Sequence, residues 1–169
     1  MSLRSFDLET SSTANPIDIV EDVVSADYEH EVARVGDDEL VLNCRGQWTS
    51  YEMHCYWQPG QQALHTSCLI EMKIQQGSLQ HIYELLSDIN SQLWFGHFEI
   101  DREGDLLSFR HTSLLRGVGT LTNGQIQDII DISIGECDRF FPAFQMVLWG
   151  GLTPDKAMQA ALLETVGEA

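Results

Sequence analysis

Basic side chains are scarce in this chain: nine Lys and Arg stand against 26 Asp and Glu over 169 residues, a formal charge of −17 at neutral pH. Phosphate backbones and anionic lipid surfaces are gripped by clustered Lys and Arg, so this balance argues against nucleic acid and membrane surfaces as partners. Long apolar runs are missing too, and none reaches the roughly 18 residues that a membrane-spanning helix needs. Met1 to Asn15 is polar, without the basic start and apolar stretch of a signal peptide, so a cytoplasmic location is expected. The four cysteines, Cys44, Cys55, Cys68 and Cys137, include no CxxC pair, which removes zinc-knuckle and thioredoxin-type readings and leaves reduced, buried thiols as the expectation. Internal repeats and low-complexity tracts are also lacking.

What is present suffices for a core. Hydrophobic residues make up 43% of the chain, and a compact protein of this mass removes roughly 70% of its unfolded surface from water. One domain over 15–169 is expected, preceded by a flexible lead over 1–14. Asn15 can cap a helix whose first turn holds Pro16, which predicts a helix from Ile17 to Ser25. Segments Tyr28 to Val35 and Glu39 to Cys44 flank Gly36-Asp37-Asp38 and read as a hairpin.

Between 39 and 73 the side chains alternate with a period of two, and matched apolar faces set a register. A turn at Arg45-Gly46 places Leu40 opposite Tyr51, and Tyr51, Met53, Cys55 and Trp57 then share one face. After the Gln58 to Gln62 loop, Trp57 opposite Leu64 sets Met53 against Cys68 and Tyr51 against Ile70. Cys55 and Cys68 become diagonal neighbours about 7 to 8 Å apart, too far to bridge. The opposite face carries Trp48, Ser50, Glu52, His54 and Tyr56 beside His65, Ser67, Leu69, Glu71 and Lys73. Two aromatics and a leucine exceed what solubility requires, so another element or a partner covers them.

Ile82, Leu85, Leu86, Ile89 and Leu93 fall at helical spacing and predict a helix from Leu79 to Phe95, ended by Gly96 as a left-handed cap. A second hairpin matches Phe98 and Ile100 with Phe109 and Leu107 across Arg102-Glu103-Gly104-Asp105, which brings the sheet to five or six strands. Thr122 and Gln125 have capping-box spacing for a long helix reaching Trp149, with a kink or break near Asp138 because of Pro142. Gly150-Gly151 closes it. Thr153-Pro154-Asp155 opens a last helix, Lys156 to Val166.

No motif dictates a reaction. His97 and His111, with Glu99, suggest metal ligands, but the hairpin register puts the two imidazoles on opposite faces. His54 across from Ser67, with Glu52 beside it, has the composition of a triad, yet flat strand centres supply neither an oxyanion donor nor a sharp elbow. Cys137 lies on the apolar stripe of its helix, where burial suppresses the thiolate. Gly117-Val118-Gly119 lacks the lysine of a phosphate loop. The acidic residues, Asp37-Asp38-Glu39, Glu84, Asp88, Asp128 and Asp131 among them, are dispersed and lack the alternate spacing of a calcium loop. No catalytic, cofactor-binding or metal residue is assigned.

Several short motifs, taken in order, resemble the YbjN domain family, described as bacterial sensory transduction regulators. They are Tyr56-Trp57-Gln58-Pro59, Ile89-Asn90 followed by Leu93-Trp94-Phe95-Gly96-His97-Phe98, Phe109-Arg110-His111, Glu136 to Phe144, and the ending Glu164 to Ala169. The resemblance covers roughly residues 16 to 169. It implies the α+β fold of type III secretion chaperones, an antiparallel sheet of five to six strands flanked by helices. Proteins of that fold are small, acidic, cytoplasmic and often dimeric, and hold partly unfolded clients on exposed apolar patches. The strand pair at 28 to 44 and the helix at 153 to 166 are additions to that pattern. The family offers no catalytic residues to transfer. The expected role is therefore a non-enzymatic, chaperone-like protein-interaction module with a regulatory function, forming a homodimer and using no cofactor. Trp48, Tyr56 and Leu69 are its partner-binding residues. The alternative is a small-ligand sensor or hydrolase with a pocket between the long helix and the sheet, and a third reading is a passive subunit of a larger assembly.

Overall fold

The computed structural model describes residues 15–101 and 106–166. The expected lead over 1–14 and the turn Arg102 to Asp105 lie outside the described residues. Asn15 caps as its sequence suggests: its side-chain oxygen accepts from the Ile17 N–H at 3.0 Å, and α1 runs Pro16–Asp27. Six strands follow in two groups: β1 (Glu31–Gly36), β2 (Glu39–Arg45), β3 (Ser50–Gln58) and β4 (Ala63–Lys73), then β5 (His97–Asp101) and β6 (Leu106–Leu114). Helix α2 (Leu79–Asn90) separates the groups, and α3 (Asn123–Leu148) and α4 (Pro154–Val166) end the chain. The sheet is antiparallel throughout, in the order β1-β2-β3-β4-β6-β5. The protein is thus α+β, with the strand number at the upper end of the expectation.

Period-two burial decides which way the sheet faces. Leu40, Leu42, Cys44, Tyr51, Met53, Cys55, Trp57, Leu64, Cys68, Ile70, Phe98, Leu107 and Phe109 are buried in one continuous cluster with residues of all four helices. Helix α1 packs on β1 to β3, α3 on β4 and β6, and α2 on β5, while α4 lies against α2 and α3. Removing so much apolar surface from water, at about 25 cal/mol per Å2, is the main favourable contribution to this arrangement.

Register agrees with the sequence for β3 and β4, where Trp57 meets Leu64 and Met53 meets Cys68, and for β5 and β6, where Phe98 meets Phe109 and Ile100 meets Leu107. It differs between β2 and β3. Leu40 faces Cys55 rather than Tyr51, and Tyr51 faces Cys44. The turn is longer than two residues: the Gly46 N–H donates to the Thr49 carbonyl at 2.9 Å, so both strands continue to Arg45 and Ser50. The slip is an even number of residues, so every side chain keeps its face.

Two helix expectations also need correction. Helix α2 stops at Asn90, not Phe95, because the Asn90 amide turns away to clasp β5. It donates to the Phe98 carbonyl at 2.9 Å and accepts from the Phe98 N–H at 2.8 Å. Gly96, with φ of 62°, does not cap α2 but admits the chain into β5 against Phe109. Pro142 does not break α3, which is continuous through Leu148. The capping box is present as expected, with Thr122 and Gln125 each bonding the other's backbone N–H. At the far end Gly151 takes φ of 63° and the Leu152 N–H returns to the Met146 carbonyl, closing the helix.

A Cβ at position 96 would collide with the Phe109 ring and lie 2.8 Å from the Arg110 carbonyl, in a left-handed backbone besides. Gly96→Ala should therefore cost about 2 to 4 kcal/mol in urea unfolding. Gly36→Ala, where a Cβ meets open space, should cost under about 1 kcal/mol. Equal costs would refute this account of Gly96.

Candidate interaction face and its anchor

All helical cover lies on one side of the sheet, and the other side is open among the described residues. Apart from the small Ala63 and Ser108, every strand residue directed that way is exposed or half-buried. Across the strands, Glu39, Tyr56, His65 and Thr112 form one row, Val41, His54, Ser67 and Arg110 the next, and Asn43, Glu52, Leu69 and Ser108 a third. Tyr56 is 45% exposed and its ring stacks on that of His65 with centroids 6.4 Å apart. His65 is held at both nitrogens, by Thr112 Oγ1 at 2.9 Å and Gln58 Oε1 at 3.2 Å. Burial, and then the Arg110 charge, lower its pKa and favour the neutral ring.

Tyr56 and Leu69 share this face, as parity requires, on β3 and β4. Trp48 does not join them. It precedes β3 in the turn, its ring stacks on Phe141 of α3 with an interplanar angle of 6°, and its Nε1 donates to the Asp138 carbonyl at 3.0 Å. That carbonyl is the one Pro142 leaves without an i+4 donor, since proline has no N–H. The Asp138 side chain completes the joint. It accepts from the Gln47 N–H at 2.9 Å and from the hydroxyl of fully buried Tyr51 at 2.7 Å. Gly46 lies so close that a Cβ there would sit 2.7 Å from Asp138 Oδ1. Sequence reasoning attached Asp138 only to a helix break; the signal for its role was an acidic residue four positions before a helical proline.

The grouping weighed as a triad is only partly assembled. His54 does lie opposite Ser67, but its Nε2 meets Glu52 Oε1 at 2.7 Å and its Nδ1 meets Glu39 Oε1 at 3.7 Å. His97 pairs with Arg110 in the ladder and sits 3.5 Å from Glu99, while the His111 ring stacks on Phe95, so register puts the two imidazoles on opposite faces as expected, although His97 remains near enough to add to burial in lowering the His111 pKa. Among the described residues no three His, Cys, Asp or Glu side chains form a group that could hold a metal ion.

The thiols are buried and free. Burial, with the neighbouring Cys68, pushes Cys44 up to about 12, and burial acts likewise on Cys55, also to about 12. Cys137 is raised by burial and then by contact with Cys68. These three are therefore not prepared as nucleophiles. The space between α3 and the sheet narrows to an apolar gap of about 10 Å3 bordered by Val20, Cys55, Leu64 and Ile130, room for one water at most. Larger hollows, of about 490 and 380 Å3, lie between α2 and α4 and share Asp88 and Asp155.

The fold and its surfaces define an acidic α+β protein with a one-sided sheet and sealed thiols. The chain belongs to the YbjN family: residues 16–146 match the family model described as "Putative bacterial sensory transduction regulator". That description names a regulator and no enzyme activity. The match ends before α4, which lies beyond it. No curated protein matches the chain. Among the described residues no helix is long and apolar enough to cross a membrane.

Two measurements test the anchor and the thiols. Asp138→Asn should lower stability by about 2 to 3 kcal/mol, because the buried Tyr51 hydroxyl and the Gln47 N–H lose their carboxylate. Tyr51→Phe added to it should cost less than the sum of the two single changes. A flat response would show the joint to be incidental. Thiols that stay protonated in the native chain but ionise near 9.0 when unfolded give a native state that holds more protons above that value. Stability should be level to about pH 9 and then decline toward 12; a urea midpoint unchanged between pH 7.5 and 10.5 would contradict this.

Proposed function

We propose that this protein is a non-enzymatic, chaperone-like interaction module with a regulatory role, which binds a protein client through the open face of its sheet. One observation carries the reading: among the described residues a six-stranded sheet is covered on one side only, and its other side combines Tyr56, Val41 and Leu69 with polar groups, as protein-binding surfaces do. The family's description as a regulator supports it. The gap of about 10 Å3 between α3 and the sheet is too small for a ligand and weighs against a pocket at that place. The element order, a helix, strands, a helix, two strands and a helix, is compatible with a type III secretion chaperone fold, to which β1, β2 and α4 are additions. Shared architecture does not by itself transfer a client.

In this reading Tyr56 and Leu69 contact the client, whereas Trp48 serves the fold through Phe141 and Asp138. Homodimer formation and a cytoplasmic location belong to the same proposal, the first checked by sedimentation and the second by fractionation. The client face is tested by capture from native lysate with mass-spectrometric identification. Tyr56→Ser combined with Leu69→Ser should reduce a specifically captured protein at least tenfold while the unfolding midpoint moves little. Trp48→Ser should instead lower the midpoint, by about 1 to 3 kcal/mol in stability. Undiminished capture by the double variant, with its fold intact, would reject the face.

A further inference from the structure

We propose that the occupant of the open face is a basic amphipathic helix of another protein. The inference rests on the docking reading above and adds the chemistry of the partner. The backbone N–H and C=O groups of the inner strands are consumed by the ladders on either side, so a segment laid on the face gains no main-chain partner there. An extended segment would surrender its hydrogen bonds to water without replacement, whereas a helix carries its own. The protein already covers its other face this way. Tyr56 on β3 and Leu69 on β4 stand four residues and one strand apart in the register, about 14 Å, which two to three helical turns span.

Charge selects the sequence of that helix. Glu39 and Glu52 lie on either side of His54, and Glu71 follows Leu69 along β4. The strands' cations on this face are Arg45, Lys73, which follows Glu71, and Arg110, which faces Glu99 at 3.4 Å; carboxylates, with Glu31, Glu99 and Asp101 added, outnumber them two to one. Apolar side chains edged by carboxylates suit a partner with Lys or Arg flanking an apolar stripe. A second copy of this chain brings another −17 charges and the same carboxylates, so like-charge repulsion opposes it at this face. A homodimer would then use another surface.

The probe is a synthetic 18-residue amphipathic helix with Leu on one face and Lys on the other, compared with a twin carrying Glu for Lys. Binding to the full chain is followed by fluorescence anisotropy at low and high salt. The Lys peptide should bind at least tenfold more tightly than its twin. The triple variant Glu39→Gln, Glu52→Gln, Glu71→Gln should weaken it roughly tenfold, as three exposed ion pairs imply. The charge-matched triple Asp22→Asn, Glu84→Gln, Asp128→Asn, on the helices and away from this face, should change it less than threefold. Tyr56→Ser with Leu69→Ser should weaken binding at both salt concentrations.

Equal weakening by the two triple variants would mean attraction to net charge alone and overturn the proposal. So would equal binding of the Glu twin, no binding of the Lys peptide, or a dimer that the Tyr56 and Leu69 substitutions dissociate, which would place a second copy on the face. If the face triple leaves Lys-peptide binding intact while the Tyr56 and Leu69 variant loses both it and the captured client, the docking face stands and the basic partner falls.

Discussion

The joint between Asp138 and the turn from β2 to β3 is the constraint on which the rest of the structure depends. Proline in a helix interior removes one hydrogen bond and leaves a carbonyl unanswered. Here that loss becomes an attachment point, because the bare carbonyl takes the Trp48 indole N–H while the carboxylate of the same residue takes the Gln47 N–H and the Tyr51 hydroxyl. One residue of α3 therefore holds two residues of the turn and one of β3. With the turn pinned, β3 enters the sheet with Tyr51 opposite Cys44, and Tyr51, Met53, Cys55 and Trp57 face inward.

From that inward set follows the sidedness of the molecule. A strand with one apolar face has to place it against something, and α1, α2 and α3 supply the cover. The cover leaves a gap of about 10 Å3 beneath α3, and burial holds Cys44, Cys55 and Cys137 protonated in a common core. Chemistry that needs an ionised sulfur has no foothold in such surroundings. The outward side is left to Tyr56, His65, Leu69 and a scatter of charges. That mixed outward side is the surface on which the proposed recognition role rests.

Much of the architecture was legible beforehand, for identifiable reasons. Alternation of period two is a strong signal, and it fixed the buried face of β2, β3 and β4 even though the β2–β3 register was displaced. Caps made from adjacent residues, Asn15 with Pro16 and Thr122 with Gln125, were equally readable because their partners are close in sequence. The errors share a different cause. Helix α2 ended early because Asn90 had a partner eight residues away in β5, and Trp48 left the strand because its partners were on α3, 90 residues distant for the Asp138 carbonyl. Of the candidate interaction face, Tyr56 and Leu69 could be placed by parity alone, since parity is a property of a strand in isolation.

The sequence by itself settled the acidic balance, the helix starts, the strands and which of their side chains face inward, all of which are governed by composition, nearest-neighbour capping and the two-residue repeat of an extended chain. Only the folded molecule decided where α2 stops, how β2 aligns with β3, that α3 passes through Pro142 intact, and that Trp48 belongs to the joint with Asp138. Those outcomes depend on donors and acceptors far apart along the chain. They are paired only once the surrounding core has brought them within hydrogen-bond reach.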